Sequence, residues 1–158
     1  MKTTIRFGKN TDLAQAIQLS ENTNDWREYW SNERWRTLLI RDYKRAIRDK
    51  SFLIAVCNKR VVGQILWAEI GTFVYFEEIA IAEHFKHKGL GSKLFKKAQQ
   101  IISCRGFEHF ITDTYVGNTT SLKFQEKHGM KICGGVQYLW DDSPYLLLGK
   151  SFDTSKEK

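Results

Sequence analysis

One stretch constrains this chain more than any other. Phe73 to Leu94 reads FVYFEEIAIAEHFKHKGLGSKL. It begins as an apolar, β-rich run with two adjacent carboxylates. It then becomes basic, carries Gly89 and Gly91, and opens onto an amphipathic helix. The first N–H groups of a helix lack partners within the helix, and the macrodipole is positive there. A bare turn at that point is therefore a receptor for a phosphate group. Glycine lets an anion come close to the backbone, and Lys86, His87 and Lys88 add positive charge at the mouth. A dinucleotide fingerprint would need a third glycine where Leu94 stands. A Walker loop would need two glycines five apart followed by Lys-Ser/Thr, and that is absent as well.

Periodicity around this stretch predicts a mixed fold. Thr3–Phe7 opens as a strand, and Thr11 or Asp12 caps a helix to about Ser20. Asn22–Asp25 turns the chain into a helical region over Trp26–Asp49, broken near Ser31-Asn32. Ser51–Cys57 and Val61–Ile70 form a hairpin across Asn58-Lys59-Arg60. Phe73–Ala82 reads as a central strand covered on both faces. A helix from Leu90 ends at Arg105-Gly106. His109–Tyr115 is a strand, and Thr119–His128 a helix stopped by Gly129. Lys131–Trp140 and Tyr145–Phe152 close as a hairpin across Asp141-Asp142-Ser143-Pro144. The predicted class is α/β of the α+β type, a mixed and mostly antiparallel sheet flanked by helices. Residues 1–152 read as one domain and 153–158 as a frayed tail.

The chain has 158 residues, 42% of them hydrophobic, enough for a sizeable core. No apolar run approaches the roughly 20 residues that span a bilayer, and the N-terminus MKTTIRFGKN has no apolar signal core. A cytoplasmic protein without a membrane partner is expected. Cys57, Cys104 and Cys133 are scattered, so reduced thiols are expected and no metal site. The net charge of +7 favours anionic ligands. Much of it lies in Arg34, Arg36, Arg41, Lys44, Arg45, Arg48 and Lys50, read as a solvated helix face. No nucleic-acid-binding pattern accompanies it, so no nucleic-acid partner is expected. His84, His87, His109 and His128 have no partner spacing and read as surface residues.

Lys86-His87-Lys88-Gly89-Leu90-Gly91 resembles the cofactor loop of the GNAT superfamily of acetyl-CoA-dependent N-acetyltransferases, which reads Arg/Gln-x-x-Gly-x-Gly/Ala. Lys86 departs from that pattern in kind but not in charge. Asn118 to Met130, NTTSLKFQEKHGM, resembles the same family's second signature at a fitting distance. The two segments span roughly the C-terminal half. The resemblance implies the GNAT fold, acetyl-CoA as co-substrate, no metal, and a small-molecule amine as acceptor; a homodimer is left open. It implies that N–H groups around Lys86, His87, Lys88, Gly89, Leu90, Gly91 and Ser92 take the pyrophosphate. The backbone of Ile79, Ala80 and Ile81 would bond the pantetheine, with Asn118 and Ser121 along the cofactor arm.

Amine acetylation also needs a base, and Glu77 or Glu78 can serve. A carboxylate inside an apolar strand has its pKa raised by desolvation. Glu77 shares a face with Ile79 and Ile81 by alternation, so Glu77 is the expected base and Glu78 is expected to face solvent. Many relatives carry a tyrosine as general acid where this chain has Gln125, so Gln125 can offer only a hydrogen bond to the departing sulfur. Asp113 reads either as a strand-end carboxylate in solvent or as an acceptor contact. By the same resemblance the acceptor cleft lies between the early helices and the last hairpin. Asp25, Trp26, Glu28, Tyr29, Trp30 and Glu33 from the former, with Tyr138, Trp140, Asp141 and Asp142 from the latter, suit a cationic amine such as a polyamine or aminoglycoside. The alternatives are that the tryptophans are core and the aspartates a plain turn. A protein N-terminus or lysine remains a rival acceptor, and a non-catalytic CoA-binding module a rival class.

Overall fold

The computed structural model of the chain describes residues 2–23, 27–137 and 142–151, with residues 27 and 28 described through their backbone alone. The strands are β1 (Thr4–Phe7), β2 (Phe52–Cys57), β3 (Arg60–Ile70), β4 (Phe73–Ile81), β5 (His109–Tyr115), β6 (Lys131–Gln137) and β7 (Pro144–Ser151). The helices are α1 (Leu13–Glu21), α2 (Arg27–Ser31), α3 (Glu33–Arg48), α4 (Leu90–Cys104) and α5 (Thr119–Lys127). The strands run β1-β2-β3-β4-β5-β7-β6 in one sheet. Pairing is antiparallel at β1·β2, β2·β3, β5·β7 and β6·β7, and parallel at β4·β5. The expected mixed, mostly antiparallel sheet flanked by helices is thus present.

The chain divides into two compact units, and β4 contributes to both. The first comprises Met1–Ala68 and Glu77–Gln100. Its core gathers Ala16 from α1, Trp30 from α2, Tyr43 and Ala46 from α3, and Phe52, Ile54 and Leu66 from β2 and β3. The β2–β3 turn places Asn58 and Lys59 at φ of 49° and 62°, the left-handed pair that a two-residue hairpin requires. Arg6 donates twice to Asp12, at 2.7 and 2.8 Å, and Lys9 N–H donates to the same carboxylate at 2.9 Å. That carboxylate fixes the entry into α1, and the guanidinium beside it holds the Asp12 carboxyl below its usual range. Asn32 caps α3 by accepting from Trp35 N–H at 3.3 Å.

Two details depart from the sequence reading. The strands covered on both faces are β2 and β3, buried almost continuously, whereas β4 alternates buried and half-buried residues. Gly63 of β3 is the reason α4 can lie close. A Cβ built there would sit 3.0 Å from Leu94, 3.1 Å from Ile81 and 3.3 Å from Leu90. The first turn of α4 is thereby held against β3 and the end of β4.

The second unit comprises Glu69–Phe76 and Ile101–Lys158. Phe76 and Phe110 meet edge to face at 5.1 Å between ring centroids. α4 and α5 end at Gly106 and Gly129, with φ of 85° and 79°. Pro144 begins β7 rather than belonging to the turn; proline is tolerated at a strand's first residue. His128 is buried, not at the surface as expected, because its ring packs against Phe124 at 4.6 Å in the last turn of α5. Tyr138, Trp140, Asp141 and the residues from Phe152 onward lie outside the described residues, as do Asp25 and Trp26.

Candidate functional site

The loop after β4 is built as an anion receptor within the first unit. Ala82 N–H still donates to Val62 C=O at 2.9 Å, and a short 3-10 turn follows over Glu83–Phe85. His87 and Gly89 then take φ of 58° and 79°. The left-handed position expected of a glycine is thus shared with His87. α4 starts at Leu90, and its first i to i−4 bond runs from Lys93 N–H to Gly89 C=O at 3.0 Å. The N–H groups of Leu90, Gly91 and Ser92 precede that bond, so they sit at the positive end of a 15-residue helix. A Cβ at Gly89 would meet nothing within 4 Å, so the backbone there faces open space. The residues present therefore suit a phosphate-bearing cofactor. Lys86 is drawn toward Glu83 at 2.7 Å, and Lys88 donates to His84 C=O at 2.7 Å.

The two carboxylates of β4 occupy opposite environments. The buried phase of the strand is Val74, Phe76, Glu78 and Ala80; the half-buried phase includes Glu77, Ile79 and Ile81. Glu78 therefore does not face solvent, and that expectation is corrected. Strand alternation puts it on the same face as Phe76 and Ala80. It is 7% exposed and collects donors from three other elements. Ser20 O–H donates to Oε2 at 2.9 Å, Tyr43 O–H to Oε1 at 2.9 Å, and Gln64 Nε2 to Oε1 at 2.8 Å. Trp30 Nε1–H donates to Ser20 Oγ at 2.7 Å, and Gln64 Nε2 also lies 3.1 Å from Ala16 C=O. Burial raises the Glu78 carboxyl, and the three donors pull against that rise. Burial likewise lifts Tyr43 well above the usual phenol range.

Glu77 lies on the other face and meets Arg45 of α3, whose Nη2–H donates to Oε2. The side chains are 18% and 27% exposed. Burial pushes the Glu77 carboxyl up to about 7, while Arg45 pulls it down and Asp42 and Glu78 push it further up. A carboxyl that titrates near neutrality in the middle of β4 is suited to take a proton from an amine. Arg45 is the residue the sequence reading misplaced. It departs from the solvated basic face expected of its cluster, because its guanidinium meets Glu77. Its position seven residues after Leu38, on the same side of the helix, was the available signal.

Several of the remaining expected site residues are engaged within the fold. Tyr75 O–H donates to Asp113, so that carboxylate is engaged within the second unit. Asn118 caps α5 by accepting from Ser121 N–H at 3.0 Å, and Ser121 Oγ lies 3.3 Å from Thr114 Oγ1. Gln125 is buried, and among the described residues its Oε1 has no hydrogen-bond partner. Tyr29 packs edge to face on Trp35 at 5.7 Å, and Trp30 is core. Trp26, Tyr138 and Asp141, proposed for the acceptor, are not among the described residues. Among those that are, no helix is long and apolar enough to cross a membrane, and no group of three His, Cys, Asp or Glu could hold a metal.

Residues 16–130 match the model of the Acetyltransferase (GNAT) family. No curated protein matches the chain in sequence. Three solved structures illustrate the likeness in fold. The PaiA N-acetyltransferase of Thermoplasma acidophilum, in complex with coenzyme A, is 19% identical with a TM-score of 0.79, over 96% of this chain and 100% of that one. Ard1 of Thermoplasma volcanium is 20% identical with a TM-score of 0.80, over 96% and 98%. Arabidopsis thaliana Naa50, in complex with the bisubstrate analogue CoA-Ac-MVNAL, is 18% identical with a TM-score of 0.76, over 96% and 100%.

Proposed function

The chain belongs to the GNAT acetyltransferase family, an acyltransferase that uses acetyl-CoA as co-substrate, and from that premise we propose that it acetylates a primary amine with Glu77 as the base. The observation that carries this reading is the Glu77 carboxylate. One of its oxygens is held by Arg45, its titration lies near 7, and it stands four residues before the end of β4. Acetyl-CoA supplies an activated acyl thioester. N–H groups between Lys88 and Ser92 hold its pyrophosphate at the N-terminus of α4, and the backbone of Ile79, Ala80 and Ile81 lines its arm. Glu77 accepts the ammonium proton, directly or through a water, which frees the nitrogen lone pair for attack on the carbonyl carbon. As the new C–N bond forms, the C–S bond breaks, and the second proton leaves the nitrogen for the departing thiolate. A thiol pKa of about 8.5 lets the sulfur leave as thiolate, so no side-chain acid is invoked and Gln125 is compatible with turnover.

The acceptor we propose is a small cationic amine in the cytoplasm, whose ammonium proton the Glu77 carboxylate takes. A second reading, a protein N-terminus, is prompted by relatives such as the ribosomal-protein-S18-alanine N-acetyltransferase of Escherichia coli. The two are separated by following thiol release from acetyl-CoA with spermidine, an aminoglycoside, a neutral amine and short peptides as competing acceptors. Preferential consumption of the small polycations supports the first reading. Preference for peptide N-termini selects the second, and absence of turnover with every acceptor overturns both.

A further inference from the structure

We propose that Arg45 is the positioning residue of the site: it holds Glu77 through a single oxygen and leaves the other turned to take a proton, while Asp42, one turn earlier on the same helix, sets a like charge beside it. The catalytic consequence of this rests on Glu77 being the base; the electrostatic coupling itself does not.

The contact is one-sided. Arg45 and carboxylates commonly meet through two parallel bonds, but here only Nη2 reaches Glu77, at Oε2. Arg45 Nε is buried without a partner among the described residues. Glu77 Oε1 likewise makes no protein hydrogen bond among them and remains accessible. One carboxylate oxygen is thus fixed by a cation and the other is presented for a proton. A rotation that brought Nε onto Oε1 would close that second oxygen. The groups acting on Glu77 are Arg45 and Asp42 from α3 and Glu78 from its own strand. Arg45 favours the ionised form, and the other two disfavour it. Asp42 and Arg45 lie three residues apart on α3, each next to a buried residue, Tyr43 and Ala46, and Asp42 also lies 3.5 Å from Arg41 Nη2. α3 therefore sets the state of the base from a different element. Arg36 by contrast pairs outward with Glu21, and Arg48 with its neighbour Asp49.

The test uses the whole chain with 13C-labelled glutamate, following the Glu77 carboxyl by NMR titration beside the pH dependence of kcat for a small amine. Arg45→Gln should move the Glu77 midpoint upward by about 1–3 units. The acid limb of kcat should move with it, lowering turnover at pH 7 roughly fivefold or more while the dissociation constant for acetyl-CoA stays unchanged. Arg45→Lys should restore most of the midpoint. Asp42→Asn, at a half-exposed site that folding tolerates, should move the midpoint the other way and raise turnover at pH 6. A Glu77 midpoint that ignores both Arg45→Gln and Asp42→Asn overturns the proposal. A midpoint that moves while the limb of kcat does not leaves the coupling standing and removes Glu77 as the base.

Discussion

At the scale of single residues, the two neighbouring glutamates show how much one step along a strand decides. Glu77 and Glu78 differ by no chemistry at all. Yet Glu78 is surrounded by hydroxyl and amide donors, whereas Glu77 meets a cation and keeps an oxygen in reach. Glu77→Gln should lower turnover by about 10²–10⁴-fold and abolish the acid limb of the pH–rate profile, as stopped-flow or steady-state thiol release would measure. If Glu78→Gln removed the limb instead, the base would be its neighbour. Gly89 permits a second test at this scale. Gly89→Glu adds a carboxylate at a backbone position that faces open space, so it should abolish acetyl-CoA binding in calorimetry. Gly71 has a similar φ of 57° and equally open surroundings, which makes Gly71→Glu a matched control for backbone strain. Equal loss of binding in both variants would mean strain, not the loop, explains the effect. Much here was legible in the sequence. The loop glycines at a helix start and the pair of candidate carboxylates needed only local rules. The phase of β4 was not legible, because alternation says that Glu77 and Glu78 face opposite ways without saying which way is inward. That is decided by Ser20, Tyr43 and Gln64, which lie 58, 35 and 14 residues away in sequence.

Secondary-structure elements were read closely from periodicity and caps, and the errors have a common origin. β4 is central, fourth of seven strands, but one of its faces is only half-buried; β3 is the strand covered on both faces, and it announces this only through Gly63 and Gln64. α3 looked like a solvated basic face, and its exposed residues do form one. Its inward residue Arg45 was hidden among six other cations of the same cluster. Gly63 also supports a prediction at the level of packing. The side-chain ends of Leu94, Ile81 and Leu90 lie 3.0, 3.1 and 3.3 Å from a Cβ at that position, so Gly63→Val crowds the side chains that seat the start of α4. We expect a loss of about 1–3 kcal/mol in unfolding free energy from overpacking. A weakened affinity for acetyl-CoA should accompany it, because the loop's N–H groups move with that turn. Gly63→Ala should show the same effects in smaller measure. Unchanged affinity in a folded Gly63→Val protein would show that the position of the helix start does not govern cofactor binding.

For the molecule as a whole, the raised carboxyls give stability an unusual dependence on pH. Glu77 has its folded value near 7 against an ordinary 4.5. The folded state therefore binds the proton more tightly, and the contribution is complete below about pH 4.5 and is lost as pH rises through 7. Two and a half units correspond to at most roughly 3 kcal/mol. Glu78 acts in the same direction. Asp12, held low by Arg6, acts oppositely and loses its contribution as the solution becomes strongly acidic. Thermal melts should show Glu77→Gln gaining on the native protein between pH 4.5 and 7.5; parallel curves over that range would contradict the shift. The Glu78 cluster has a consequence for how the chain assembles. Ser20, Trp30, Tyr43, Gln64 and Glu78 come from five elements, and each supplies a bond the others cannot replace. An intermediate that packed only one of α1 and α3 onto β3 and β4 would take the carboxylate from water without its full set of donors, a state that costs more than a lost hydrogen bond. Near neutral pH this penalises partial assembly, so the first unit should gain its helices and its sheet in one concerted step, and acidification should relax that requirement. The Glu78 carboxylate thus acts as a check on folding order.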